Sequence, residues 1–278
     1  NSQSGPRSKQ MLAAGQLFVT TTGVNDAIAL TLAGKAATLV LGFDNRVAFA
    51  NILTHKDNID SGKVRRVEDL GGQSIAVTQP QAATWLMAVY ILDRAGLKDK
   101  VEVKGLGDFA TMMGAVKTKQ VAATIATVSM VDAAKQEGWG VPIFDVSDTK
   151  SWNAVFGGDV PGVACYVLAE SVKKKPEVIQ AFVNALVKAT DIVKALTPEA
   201  LTDLIHEPLL SGFPKESVLR GVRVYKETWA YTNVIQKDGY DRLIGIMTGR
   251  QFPEAELKKV PYETMVDMSF VKKARKLS

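Results

Sequence analysis

The sequence predicts an α/β protein whose C-terminal part is helical. Three observations predict it. Short apolar stretches such as Ile75–Val77, Val101–Val103 and Val121–Ala126 alternate with helical patterns of about ten residues. Glycine, proline or a short polar residue punctuates most junctions between them. Beyond Ala169 the alternation stops, and longer patterns with apolar residues at i, i+3 and i+4 take over. Strands alternating with helices imply βαβ crossovers and a mostly parallel sheet.

In chain order, Ser8–Gly15 reads as the end of a helix and Leu17–Thr22 as a strand. Asn25 and Asp26 open a helix over Ala27–Ala33 that Gly34 closes, and Ala36–Leu41 is a second strand. Ile52–Thr54 is a short strand, and the charged stretch Lys56–Arg66 is expected as a surface crossing between domains. The stretch from Val67 to Val77 organises the middle of the chain. Gly71 and Gly72 allow a sharp turn, Ser74–Val77 favours a strand, Pro80 suits the opening of a helix over 81–95, and Gly96 closes it. Helices over Asp108–Thr118 and Ser129–Glu137 and a strand over Val141–Val146 continue the rhythm. Ser147–Pro161 reads as loop, Gly162–Ala169 as an apolar strand, and the tail as helices over Pro176–Leu196, Pro198–His206, Lys215–Tyr225 and Lys237–Thr248. On the first tail helix Val178, Phe182, Ala185, Leu186, Ala189, Ile192 and Val193 share one face, the expected buried one.

A 46% share of hydrophobic and 23% of charged residues is that of a globular chain. The formal charge of +5 is spread along the sequence without a nucleic-acid-binding pattern, so no nucleic-acid partner is expected. The run Lys173–Lys175 and the basic ending Lys272–Lys276 read as solvated faces. Cys165 is the one cysteine and His55 and His206 the two histidines, which leaves no intrachain disulfide and little basis for a metal site. No cofactor motif is visible, no run suits a bilayer span, and no signal peptide stands at Asn1; the mature form is expected to begin here or to have lost upstream residues.

The run Glu68-Asp-Leu-Gly-Gly-Gln-Ser-Ile-Ala-Val77, then Leu92-Asp-Arg-Ala-Gly-Leu97, then Gly114-Ala-Val-Lys-Thr-Lys-Gln-Val-Ala-Ala-Thr124 resembles the extracytoplasmic substrate-binding proteins of ABC importers. The similar branch includes receptors for taurine, alkanesulfonates, nitrate and the thiamine-precursor pyrimidine. Gln10–Gly15 and Pro261–Phe270 resemble further segments of it, whereas Gln73 and Val121-Ala-Ala depart from its usual Lys and V-D-A. The resemblance implies two doubly wound α/β domains of the type II periplasmic binding protein fold, joined by two crossover strands, Phe49–Thr54 and Val163–Leu168. One domain would comprise 1–54 and 164–278, the other 55–163. It further implies ligand capture by hinge closure, delivery to a membrane permease, and a strand-helix unit upstream of Asn1.

Ligands of open parallel sheets bind beyond the carboxyl ends of strands, at helix N-termini. That rule singles out Thr21, Thr22 and Asn25 near the first such end, which serve equally well as turn or cap chemistry. Asp26 reads as a cap. At the central unit Gln79, Gln81, Ala83 and Thr84 bring side-chain and backbone donors together, and Thr127 and Ser129 follow the next strand. Arg46 offers a cation to a carboxylate or sulfonate, or is simply solvated. Among the aromatics Trp85, Phe109, Trp152 and Phe156, the first reads as core and Phe156, beside Gly157 and Gly158, as part of a mobile lid. No G-x-S-x-G, Walker glycine loop or histidine-carboxylate cluster supports an enzyme. The alternatives are an enzyme of the same fold acting on a small carboxylate metabolite and the sensing domain of a transcription regulator.

Overall fold

A three-stranded and a five-stranded sheet divide the strands between them. The computed structural model describes residues 5–212 and 214–277. The first half of the chain runs α1 (Gly5–Ala13), β1 (Thr20–Gly23), α2 (Val24–Leu32), β2 (Ala37–Gly42), β3 (Asn51–His55), α3 (Lys56–Asp60), β4 (Ser74–Val77), α4 (Ala83–Arg94), β5 (Glu102–Gly105), α5 (Phe109–Lys117), β6 (Ala123–Ala126) and α6 (Val128–Gln136). It continues with β7 (Gly140–Phe144), α7 (Thr149–Phe156), β8 (Val163–Leu168), α8 (Ala169–Lys174), α9 (Pro176–Ala195), α10 (Pro198–Leu210) and α11 (Lys215–Thr228). The last helices are α12 (Lys237–Met247), α13 (Glu254–Leu257), α14 (Tyr262–Met265) and α15 (Ser269–Arg275).

Two compact units emerge. The first comprises the chain up to Val47, Asp159–Ala195 and Trp229 onward; the second comprises Ala48–Gly158 and Leu196–Thr228. The expected division set the whole tail, 164–278, in one domain, whereas the α10–α11 hairpin packs with the second unit. Its anchor is an ion pair from Arg220 Nε on α11 to Asp132 Oδ1 on α6, 2.5 Å. Lys226 Nζ also donates to the Leu196 carbonyl at 2.9 Å, closing the hairpin on itself.

In the first unit β8 lies between β1 and β2 and is antiparallel to both. In the second, β5-β4-β6 are parallel, and β3 lies between β6 and β7, antiparallel to each. The expectation of a mostly parallel arrangement therefore holds only for β5-β4-β6. Helices link β4 to β5 and β5 to β6, which permits parallel crossovers, but β3 and β8 enter their sheets from distant sequence and are not bound by that geometry.

The start of β8 is held by Asp44. Its Oδ1 accepts the N–H groups of Gly162 at 2.7 Å and Val163 at 3.0 Å. Phe43 N donates to Val163 O, Ala230 N to Phe43 O and Val160 N to Asn45 O, so three chain segments are knitted at one point. A Cβ at Gly162 would stand 3.0 Å from Asp44 Oδ2 and 3.1 Å from Val47 Cα, which leaves glycine the fitting residue. The residue as a whole keeps partial exposure, yet burial of its carboxyl group pushes Asp44 up to about 7. Asn233 is a second tie. At φ 57°, a left-handed value that Asn tolerates, it donates Nδ2 to Gly42 O and Thr190 Oγ1 and accepts Arg275 Nη2 at 2.7 Å, joining β2, α9 and α15.

Three stretches differ from the sequence reading. Lys56–Arg66 holds α3, capped by His55 Nδ1, and a turn at Gly62, and lies inside the second unit rather than crossing between domains. Ser147–Pro161 contains α7, whose N-cap Asp148 accepts from Lys150 N and whose end is closed by Gly157 at φ 73°. On α9 the buried residues are Ile179, Val183, Val187 and Thr190, one position round from the expected face. Val178 (44% exposed), Phe182 (37%) and Ile192 (44%) face solvent. The helix has two adjacent apolar stripes, and periodicity alone does not say which one the sheet takes.

Phe156 belongs to the core, not to a lid. It is 4% exposed and stacks on Trp152 with ring centroids 4.1 Å apart, with Tyr90 at 5.3 Å and Phe144 edge-on at 6.2 Å. Trp152 is wholly buried and donates Nε1 to Gly158 O at 2.8 Å. The helical spacing of 152 and 156 on α7 makes this stack. Phe156→Ala should therefore lower the unfolding free energy by about 3–5 kcal/mol, read from urea denaturation.

Asp44 makes a second prediction. A carboxyl whose pKa is raised in the folded state favours folding fully below its unfolded value and loses that contribution as pH rises through the folded value. Wild-type stability should therefore carry a component that falls between the ordinary 3.8 and about 7 and is absent in Asp44→Asn. Parallel urea titrations of the two proteins across that range check it; matching pH profiles would refute it.

Candidate functional site

Strand ends followed by helix starts supply the candidate sites, and the way each helix start is capped separates them. α5, α6 and α7 are capped by side chains, those of Asp108, Thr127 and Asp148. α2 and α4, which follow β1 and β4, have no side-chain cap. α8 also lacks one, but it starts at the opposite end of its sheet, since β8 runs antiparallel to β1. An uncapped first turn leaves backbone N–H groups and a partial positive charge for water or a ligand.

At the α2 start, Asn25 is 4% exposed, and its Nδ2 has no hydrogen-bond partner among the described residues. A buried amide donor without a partner costs about 1–3 kcal/mol. Its neighbours are satisfied. The Thr22 hydroxyl pairs with Tyr166 Oη at 2.8 Å, and Thr21, exposed on β1, pairs with Cys165 Sγ at 2.8 Å. Asp26, 3% exposed, is held above the ordinary carboxylate range by burial, opposed by Lys9, whose Nζ lies 3.5 Å away, and by the Thr22 hydroxyl. Asp26 is thus engaged within its own unit.

At the α4 start the helix begins at Ala83, two residues later than expected. Gln81 precedes it in a left-handed conformation, φ 65°, and is exposed, as is Gln79. Thr84 is 5% exposed; its Oγ1 accepts Thr78 N at 3.1 Å and pairs with Thr78 Oγ1 at 2.7 Å, fixing the turn between β4 and α4. β6 lies beside β4 and parallel to it, so Thr127 and Ser129 follow the adjacent strand end. Thr127 Oγ1 accepts Met130 N and pairs with Ser129 Oγ at 3.0 Å, so these two cap α6 and leave fewer free groups. The second unit thus gathers Thr78, Gln79, Gln81, Ala83, Thr84, Thr127 and Ser129 at one edge of its sheet. Arg46, half-buried, belongs to the first unit, and Trp85 and Phe109 are half-buried in the second.

Sequence reasoning missed Tyr166 and Lys9 as partners of Thr22 and Asp26. Tyr166 lies inside an apolar strand with nothing to mark its hydroxyl, and the pairing of β1 with β8 that joins the two is not visible in local pattern. A pocket of about 110 Å³ in the second unit, lined by Val128, Val131, Asp132, Lys135, Asp145 and Arg220 among others, includes none of the predicted residues. Its ionic groups are paired, Arg220 with Asp132 and Lys135 with Asp145 at 3.8 Å. No group of three or more His, Cys, Asp and Glu among the described residues suits a metal ion, and no described helix is long and apolar enough to cross a membrane.

The fold is that of the periplasmic binding proteins. A protein from Bordetella bronchiseptica matches with a TM-score of 0.83 at 21% identity, over 99% of this chain and 85% of that one. The periplasmic nitrate-binding protein NrtA from Synechocystis matches with a TM-score of 0.74 at 14% identity, over 99% and 78%. The periplasmic aliphatic sulphonate-binding protein SsuA from Escherichia coli matches with a TM-score of 0.63 at 20% identity, over 80% and 66%. The latter two are periplasmic binding proteins. The NMT1/THI5-like family pattern matches residues 4–200, and the chain belongs to that family. No curated protein shows significant similarity to it.

Cys165 is fully buried in β8, and burial pushes its thiol up to about 11. The thiolate is the reactive species, so a thiol reagent should modify native Cys165 far more slowly than the urea-unfolded chain. Comparable labelling rates in the two states would contradict the placement.

Proposed function

We propose that the chain is an extracytoplasmic solute receptor of an ABC importer, binding a small polar or singly anionic ligand and handing it to a membrane permease. The observation that carries this reading is the pair of uncapped helix starts after β1 and β4, the first with the buried, unpaired Asn25 amide. Such donors suit the oxygens of a sulfonate, nitrate, carboxylate or pyrimidine carbonyl. The nitrate and sulfonate receptors that share the fold support the class of solute, and their periplasmic setting supports the compartment. Among the proposed contacts, Thr21, Thr22, Asn25, Gln79, Gln81, Ala83, Thr84, Thr127 and Ser129 are neutral. Arg46 is the basic residue of the set and would assist an anion. Capture by closure of two domains remains part of the proposal; Phe156 drops out of it because it is core.

The test is a thermal-shift screen of the purified chain against alkanesulfonates, nitrate, pyrimidines and carboxylates. A ligand at about a hundred times its dissociation constant adds about 2.7 kcal/mol of stability. A saturable shift from one chemical class, reduced in both Asn25→Ala and Gln81→Ala and with the ligand recovered unchanged, is the expected result. Chemical conversion of the ligand would favour an enzyme instead, and full affinity in both variants would remove these helix starts from the site.

A further inference from the structure

Besides the Asn25 amide, the indole N–H of Trp229 is buried in the first unit without a partner among the described residues. An indole N–H donates and never accepts, so no flip or tautomer can pair it differently. Folded proteins seldom bury such a donor unanswered. The fully and nearly fully buried tryptophans obey that rule: Trp152 donates to Gly158 O and Trp139 to Glu137 Oε2, each at 2.8 Å. Arg275 Nε is also unpaired, but the same guanidinium already bonds Asp191 and Asn233, so its charge is answered.

Topology places Trp229 at the end of the sheet that Asn25 occupies. β1 and β2 are each antiparallel to β8, so they run parallel to one another and their carboxyl ends lie on one side. Asn25 follows the end of β1. Phe43 and Asp44 follow the end of β2, two strand spacings or about 10 Å away across β8. Trp229 is fixed there twice, by an isolated antiparallel bridge to Asp44 and by its ring, which meets Phe43 edge-on with centroids 6.0 Å apart. Asp44 does not answer the indole, because its Oδ1 takes the N–H groups of Gly162 and Val163. Strand carboxyl ends are where open α/β sheets bind ligands. Both unpaired groups there are donors, which an amine or guanidinium cannot satisfy and an oxyanion or carbonyl can.

We infer that the Trp229 indole N–H is a further donor of the solute site and meets an acceptor oxygen of the ligand. The inference rests on the receptor reading and narrows it. The part of the solute that faces this sheet end carries oxygen without hydrogen, whether of an oxyanion or of a carbonyl.

The full chain, labelled with nitrogen-15 at its four tryptophan indoles, tests it by NMR. Trp229→Phe, which keeps a ring against Phe43, identifies the Trp229 resonance. Methanesulfonate, nitrate, acetate and uracil are the probes, and methylammonium, which has no acceptor, is the control. The Trp229 indole proton should move saturably with at least one of the four and not with methylammonium, while the Trp139 and Trp152 protons stay. Trp229→Phe should weaken that probe about tenfold to a hundredfold if it is an oxyanion and about two- to tenfold if it is uracil, because hydrogen bonds to charged groups are the stronger. A probe that raises the melting temperature saturably while the Trp229 proton stays, or that binds Trp229→Phe as tightly as the wild type, would overturn the proposal and leave the receptor reading standing. Failure of all four probes to bind would overturn both.

Discussion

A single carboxylate oxygen decides how the three-stranded sheet begins. Asp44 Oδ1 takes the N–H groups of Gly162 and Val163 where β8 starts, and backbone bonds from Phe43, Asn45 and Ala230 close the same knot. Buried N–H groups need acceptors, and β2 cannot supply them here because its register with β8 begins only at Ala164. β8 is the central strand of that sheet, so the register of both neighbours, and with β1 the position of Thr21, Thr22 and Asn25, follows from where this strand is pinned. The acid is held at some electrostatic cost, visible in its raised pKa.

The same accounting of backbone donors separates structural helix starts from candidate binding starts. Asp108, Thr127 and Asp148 answer the first-turn N–H groups of their helices, and those starts are complete in themselves. At α2 the Asp26 carboxylate and Gly162 O answer the Gly23 and Val24 N–H groups and leave those of the next residues, and α4 has no side-chain cap. In the second unit the Thr78–Thr84 bond holds the turn without covering the helix end. The site chemistry therefore rests on what the chain leaves undone at two places while completing it at others.

Much of this is legible in the sequence, and the misses have physical causes. Glycine punctuation and apolar runs place β1, β2, β4, β6 and β8 within a few residues, because those signals are local. α7 escapes a sequence reading because its stabilisers, the Trp152–Phe156 stack and the cap at Asp148, lie among residues that also favour loops. Phe156 is misread for the same reason: neighbouring glycines suggest mobility where one of them, Gly157, closes a helix. The α9 face is wrong by one residue because two stripes compete on that helix and only tertiary packing chooses. Of the site, the strand ends and helix starts are readable; which starts lack a cap is not, since Thr127 and Asn25 look alike until their bonds are seen.

Neither compact unit is contiguous in sequence. The second is complete only when Thr228 is present, and the first only with the helices beyond Trp229. Chains emerge from the ribosome from the N-terminus, and domains fold as units. Here neither unit is complete until most of the polypeptide has been made, although all five strands of the second lie within Ala48–Gly158. The order of synthesis thus leaves the last pieces of both units, the α10–α11 hairpin of the second and the final helices of the first, to be added late.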